Sequence, residues 1–224
     1  KTKYKYTFLC SLKPNKELKK LLQITGNLIL RTLALNVAYD LANYFSLKYG
    51  NAQMAAHTIA MNIWLFSAFF IDGYANAGNA IAGKLFGSGN KNKLRSVGLK
   101  IAKISTIIGA FLGGFYLILY PFIGTVFTGE NEVITIFNSF FFIVILSQPI
   151  NGIAFSLDGI FKGLGRAALL RNTLILGTFL VFIPIVYVLD YFNFEMYSVW
   201  IAFFFWMIFR SGSLLYVFLK DFKN

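Results

Sequence analysis

A single cysteine, Cys10, and a single histidine, His57, leave this 224-residue chain without an internal disulfide and without a histidine or cysteine set for a metal. It holds no HExxH spacing, no nucleophile elbow and no Walker phosphate loop, so an enzyme is not expected. Acidic side chains are scarce as well, nine against 21 lysines and arginines, for a formal net charge of +12. That surplus does not imply nucleic acid, because the basic residues border apolar runs and form no stripe interleaved with stacking aromatics.

What the chain has instead is apolar bulk. Hydrophobic residues make up 57%, aromatics 18% and charged residues only 13%, a balance that a water-soluble domain of this size cannot hide in one core. Lipid is therefore the expected solvent, and the bilayer the first expected partner. A hydrocarbon layer of about 30 Å needs roughly 20 helical residues to cross it. Six stretches meet that length, at 24–46, 54–82, 101–122, 133–161, 169–189 and 196–219. The runs are continuous rather than alternating, which favours helices over barrel strands, and a helix satisfies its own backbone hydrogen bonds in lipid. The fold class expected is all-α integral membrane, a six-transmembrane-helix bundle occupying 24–219. Residues 1–23 read as a cytoplasmic linker belonging to something longer, since they are lysine-rich without the apolar centre and cleavage site of a signal peptide. Residues 220–224 read as a cytoplasmic tail.

Positive flanks are retained in the cytoplasm. Seven lysines precede the first span, six basic residues lie between the second and third (Lys84, Lys91, Lys93, Arg95, Lys100, Lys103), three between the fourth and fifth (Lys162, Arg166, Arg171) and two follow the last. The opposite side carries Lys48 alone, beside Glu130, Glu132, Asp190 and Glu195. Eighteen against one places both termini of a multi-pass protein in the cytoplasm, in a cell (inner) membrane. Glycines agree with these loops: Gly87 and Gly89 with Asn90, Gly129 between apolar runs, and Gly163 with Gly165.

Charged groups inside a hydrocarbon slab cost a few kcal/mol each on insertion scales, so those that persist face a bundle interior or a water-filled cavity. Arg31, Asp72, Asp158 and Arg210 are such groups, two of each sign. Arg31 and Asp72 reach comparable depths in consecutive spans at about 1.5 Å per residue, so they are expected to pair. The pair can be a gate that re-forms between two states or a static structural contact. In the second span Asp72, Asn76 and Asn79 stand at i, i+4 and i+7, and in the first Asn36 and Asp40 repeat the i, i+4 spacing. Such faces line an aqueous cavity or knit a buried hydrogen-bond network, and Asp40, near the outer interface, reads more simply as snorkelling to water. The fourth span holds Gln148, Pro149, Asn151 and Gly152, where proline removes a donor, frees carbonyls near mid-depth and favours a bend. Pro184 marks a second kink. His57 reads as packed or hydrated at an outer helix start. The runs Phe140–Phe142 and Phe203–Phe205 point around the helix, toward lipid and neighbours more than into one aromatic pocket.

Four segments in register carry a resemblance: Leu30 to Asn36 (LRTLALN), Asp72 to Asn90 (DGYANAGNAIAGKLFGSGN), Leu157 to Asn172 (LDGIFKGLGRAALLRN) and Phe209 to Leu214 (FRSGSL). Together they resemble the C-terminal half of a multidrug and toxic compound extrusion (MATE) transporter of the DinF-like branch, over nearly the whole chain. The resemblance implies one lobe of a two-lobed transporter, whose halves alternate access to a central cavity and use a proton or sodium gradient to expel small organic substrates. The partner it implies is an N-terminal six-helix lobe that this sequence does not contain, and no cofactor beyond the coupling ion, H+ or Na+. NorM-type relatives that use sodium carry a glutamate in the first helix of this lobe and an aspartate in the fourth. Those places hold Leu35 or Asn36, and Asn151, so a carboxylate cation site is not expected here. Export of drugs or other amphiphiles is the leading function. A flippase for a lipid-linked or polyprenyl intermediate is the alternative, and a membrane-embedded enzyme a remote one.

Overall fold

The computed structural model describes residues 16–222, so Cys10, most of the segment read as a linker, and Lys223 lie outside the described residues. Every regular element among the described residues is helical: α1 (Lys16–Tyr49), α2 (Asn51–Gly87), α3 (Lys91–Phe127), α4 (Asn131–Gly163), α5 (Ala167–Gly177), a π-helical turn (Thr178–Phe182), α6 (Ile183–Tyr191) and α7 (Met196–Asp221). The pieces α5, π turn and α6 form one rod, giving six helices long and apolar enough to cross a membrane. Four of them run 33 to 37 residues, or roughly 50–55 Å, well beyond the ~30 Å of hydrocarbon. The apolar stretches are thus the middles of longer helices, and α1 already begins at Lys16, inside the segment read as a linker.

Turn chemistry sets the connections. Gly50 alone joins α1 to α2 at φ 134, a conformation that only glycine adopts without strain. The Asn90 side chain caps α3 by accepting from Lys93 N at 3.0 Å, one residue after Gly89 at φ 73.

α4 lies at the centre, packed on α2, α3 and α7, while α1 lies principally along α5. In lipid there is little hydrophobic gain from putting two apolar helices together, so close approach has to come from small residues. α4 supplies them on two faces. A Cβ on Gly152 would run into the Ser105 carbonyl of α3, and one on Gly159 would lie 2.7 Å from the Ala75 carbonyl of α2. Pro149 does not end α4, which continues as one helix to Gly163. The carbonyl that proline leaves without a donor is that of Ile145, and Gly113 of α3 sits against it, its missing Cβ position 3.0 Å from that oxygen.

In the fifth rod the irregularity falls one turn before Pro184, in the π turn, and Pro184 occupies the first turn of α6. Thr178 in this turn donates its hydroxyl to the Ala34 carbonyl of α1 at 3.2 Å. The phenylalanine runs divide as helical geometry requires: Phe140, Phe141 and Phe203 are buried, whereas Phe142 and Phe205 are exposed. Phe140 stacks on Trp200 at 5.7 Å and Phe137 on Phe141 at 4.4 Å. The outer surface of the bundle is apolar, with Phe111, Ile118 and Val126 each more than 70% exposed, as a lipid-facing surface must be.

Candidate functional site

Asp158 is the point on which the buried charges converge. It lies on the central helix α4, 3% exposed, where an isolated carboxylate would be strongly unfavourable. Three cations answer it from three helices. Arg31 Nη2 of α1 reaches Oδ2 at 2.6 Å, Arg210 Nη2 of α7 reaches Oδ1 at 3.0 Å, and Lys162 Nζ, one turn on along α4, lies 3.2 Å from Oδ2. Arg210, also 3% exposed, lays its guanidinium over the Phe155 ring at 5.3 Å, a contact that offsets part of its desolvation.

The expected Arg31–Asp72 pair is not formed. Matching depths along consecutive helices ignored lateral placement: α1 leans on α5, and α4 inserts its own carboxylate where Asp72 was expected to act. Asp72 is half-buried and makes no ion pair or hydrogen bond among the described residues, yet it lines the same cavity as Arg31, Asp158, Lys162 and Arg210. That cavity measures about 260 Å³. Its other wall is aromatic, with Tyr39 edge-on to Trp64 at 6.2 Å and Trp64 to Phe155 at 6.0 Å.

The remaining polar positions are distributed around this centre. Asn151 is buried behind Trp64; in the amide orientation that satisfies both of its ends, it accepts Trp64 Nε1–H at 3.0 Å and donates to the Ser147 carbonyl at 3.3 Å. Gln148 is buried, donates to the Val144 carbonyl at 3.1 Å, and lies at the α3–α4 contact rather than in the cavity. Asn79 packs against Gly163 where α2 crosses α4. Asn36, Asp40 and Asn76 are exposed on the outside of the lobe and belong to no internal network. Four of the ten positions singled out from sequence, Arg31, Asp72, Asp158 and Arg210, therefore meet in one cavity.

Lys162 was counted only as a flanking loop charge, although its i, i+4 spacing from Asp158 is visible in the chain. Tyr39, Trp64 and Phe155 carried no signal that separated them from core aromatics. Outside the cavity, polar ties fix α1 near both ends: Arg171 to Asn27 at 2.5 Å, and Lys48 and Tyr49 to Asp190 at 2.7 and 2.8 Å. His57 is fully buried 5.5 Å from the Trp200 ring, with neither ring nitrogen hydrogen-bonded among the described residues. No group of three or more histidine, cysteine or carboxylate side chains suited to a metal occurs among the described residues.

The MatE family model matches residues 28–188. The chloroplastic protein DETOXIFICATION 44 of Arabidopsis thaliana is 33% identical over 138 residues, 62% of this chain and 26% of that protein. DNA damage-inducible protein F of Escherichia coli K12 is 22% identical over 156 residues, 70% of this chain and 34% of that protein. Among solved structures, a Vibrio cholerae MATE transporter in the bent form has the same fold, with a TM-score of 0.85 at 17% identity over 95% of this chain and 48% of that one. The chain thus spans about a quarter to a third of the curated relatives it matches and about half of the solved transporter.

Proposed function

The chain belongs to the MatE family of membrane transporters, and on that premise we propose that it acts as one lobe of a secondary active exporter for amphiphilic organic compounds, driven by a proton or sodium gradient. A second six-helix lobe completes the pathway, and the termini face the cytoplasm of a cell (inner) membrane. The observation that carries this reading is the unequal pairing of the two cavity carboxylates. Asp158 takes all three cations, and Asp72 faces the same space with none.

Such a cluster admits a second arrangement, with one cation moved from Asp158 to Asp72. Arg31 sits on α1, the least enclosed helix, and is the cation whose transfer from Asp158 to Asp72 would move α1 against α4. A coupling cation at Asp72, proton or sodium, opposes that transfer by neutralising the acceptor, and its release permits it. Movement of α1 against α4 would then follow the occupancy of Asp72. The energy available is that of one ion-pair exchange, which is within the few kcal/mol that separate alternating states.

The test is flux in proteoliposomes containing the protein with both lobes, measured under a proton gradient alone and a sodium gradient alone. One gradient should drive uptake of substrate, and Asp72→Asn should lower the driven rate at least tenfold while leaving the protein folded. Flux indifferent to both gradients, or undiminished in Asp72→Asn, overturns the proposal.

A further inference from the structure

The three cations and two carboxylates of the cavity do not cancel. Arg31, Arg210 and Lys162 all point to Asp158, so that corner carries two positive charges more than its carboxylate neutralises. Asp72 removes one of them at longer range, and the cavity keeps a net +1. Hydrogen bonding repeats the imbalance. The Nε–H groups of Arg31 and Arg210 are buried with no acceptor among the described residues. A guanidinium offers five donors in a fixed fork, and a buried donor left unmet carries the desolvation penalty of that group. Both Nε atoms lie beneath the surface, and it is the net positive charge of the lining that calls for an acceptor with negative charge. An organic cation large enough to fill the cavity would instead meet the cationic corner head-on, with only Asp72 to compensate.

The rest of the wall defines what the acceptor is attached to. Tyr39, Trp64 and Phe155 form a continuous edge-to-face run that ends at the Arg210 guanidinium, and with Trp64 itself buried a flat apolar body can lie against Tyr39 and the exposed Phe69 while its head reaches the basic corner. At about 260 Å³ the cavity lies just below the ~300–1,000 Å³ of small-molecule sites. It admits a head group and one or two rings.

We propose that this cavity binds an organic anion, a carboxylate or phosphate head on an apolar body, with Arg31, Arg210 and Lys162 as its recognition residues. The inference rests on the transport reading for its biological meaning but names the charge class of the cargo, and it is tested by equilibrium binding without any flux. A ring-bearing acid and a lipid phosphate share the required chemistry, so both are assayed.

The measurement is isothermal titration calorimetry of purified protein held in a non-ionic maltoside detergent, titrated with 1-naphthoate, 1-naphthylmethylammonium and farnesyl phosphate. At least one anion should bind ten times or more tighter than the cation. A preference for naphthoate assigns a soluble aromatic acid, and a preference for farnesyl phosphate assigns a lipid phosphate. Lys162→Gln, at a solvent-reachable position that leaves the buried arginines in place, should weaken the anion three- to tenfold, and Asp72→Asn should tighten it. Equal or tighter binding of 1-naphthylmethylammonium overturns the proposal, as does anion binding indifferent to both substitutions or no binding of either anion. Loss of gradient-driven flux with this binding intact overturns the transport reading alone, and loss of binding with flux intact overturns the anion site alone.

Discussion

Asp158 and Asp72 show how far two carboxylates in one cavity can diverge. Removing one member of a buried ion cluster costs about 3–5 kcal/mol, because its partners are left as uncompensated charge. Asp158→Asn leaves Arg31, Arg210 and Lys162, each 2.6–3.2 Å from one of its carboxylate oxygens, gathered around a neutral amide. It should lower the unfolding free energy in detergent by that amount. Asp72→Asn removes no contact within the lobe and should change stability by less than about 1 kcal/mol. Thermal unfolding followed by circular dichroism compares the two, and equal losses would mean that the cluster is not organised on Asp158. Lys162→Gln falls with Asp72→Asn rather than with Asp158→Asn, because its ammonium is partly hydrated and surface-type pairs contribute about 1 kcal/mol or less.

At the scale of elements, the determinants are the glycines of α3 and α4 and the broken fifth rod. Gly152 has the Ser105 carbonyl and the Thr106 Cα, the latter at 2.9 Å, where a side chain would go. Gly152→Val must push α3 and α4 apart, at a cost of about 1–3 kcal/mol or more. Gly114, on the same helix as Gly109 and Gly113, has nothing within 4 Å of its Cβ position. Gly114→Val should be neutral for folding, so a melting comparison of the two variants separates helix contact from helix propensity. Thr178 is the link between the π turn and α1, and Thr178→Val should cost about 1 kcal/mol. A π turn carries one residue more than the α ladder needs, so this segment is where the rod can take up a shift of α1. Hydrogen exchange around Thr178–Phe182 should rise in that variant, and unchanged exchange would show that the hydroxyl contributes nothing to holding the turn.

For the whole molecule, the basic ends of the helices and the acidic loops opposite them predict a direction. With Cys10 replaced by serine, Lys91→Cys should be protected from a membrane-impermeant maleimide in intact cells, and Glu130→Cys should react. Reversed labelling would invert the topology and with it the side from which the cavity is loaded. The helices also differ in how far they are enclosed. α1 is the least enclosed of the six membrane-length helices, and exposed on its surface and on that of α2 are Asn36, Asp40 and Asn76. Polar side chains facing hydrocarbon are unfavourable by a few kcal/mol on insertion scales when charged, so a second lobe or a water-filled passage accounts for them better than lipid does.

Composition and periodicity by themselves determined the solvent and the number of membrane-length helices, though not how far each helix runs past its apolar middle, because hydropathy integrated over 20 residues depends on no particular contact. They also located the four intramembrane charges, since a charge in an apolar run stands out wherever the run folds. The family was legible in four short segments whose small and charged residues sit at helix crossings and in the cavity. Which charges meet was decided only by the tertiary structure. Depth along a helix follows from counting at about 1.5 Å per residue, but the partner of Arg31 depends on which helix stands beside α1 and how each is rotated. Those are set by glycine contacts between α2, α3 and α4, and by the lean of α1 on α5. A linear chain records the height of each charge, and only packing supplies the two lateral coordinates that made Asp158 the centre and left Asp72 unpaired.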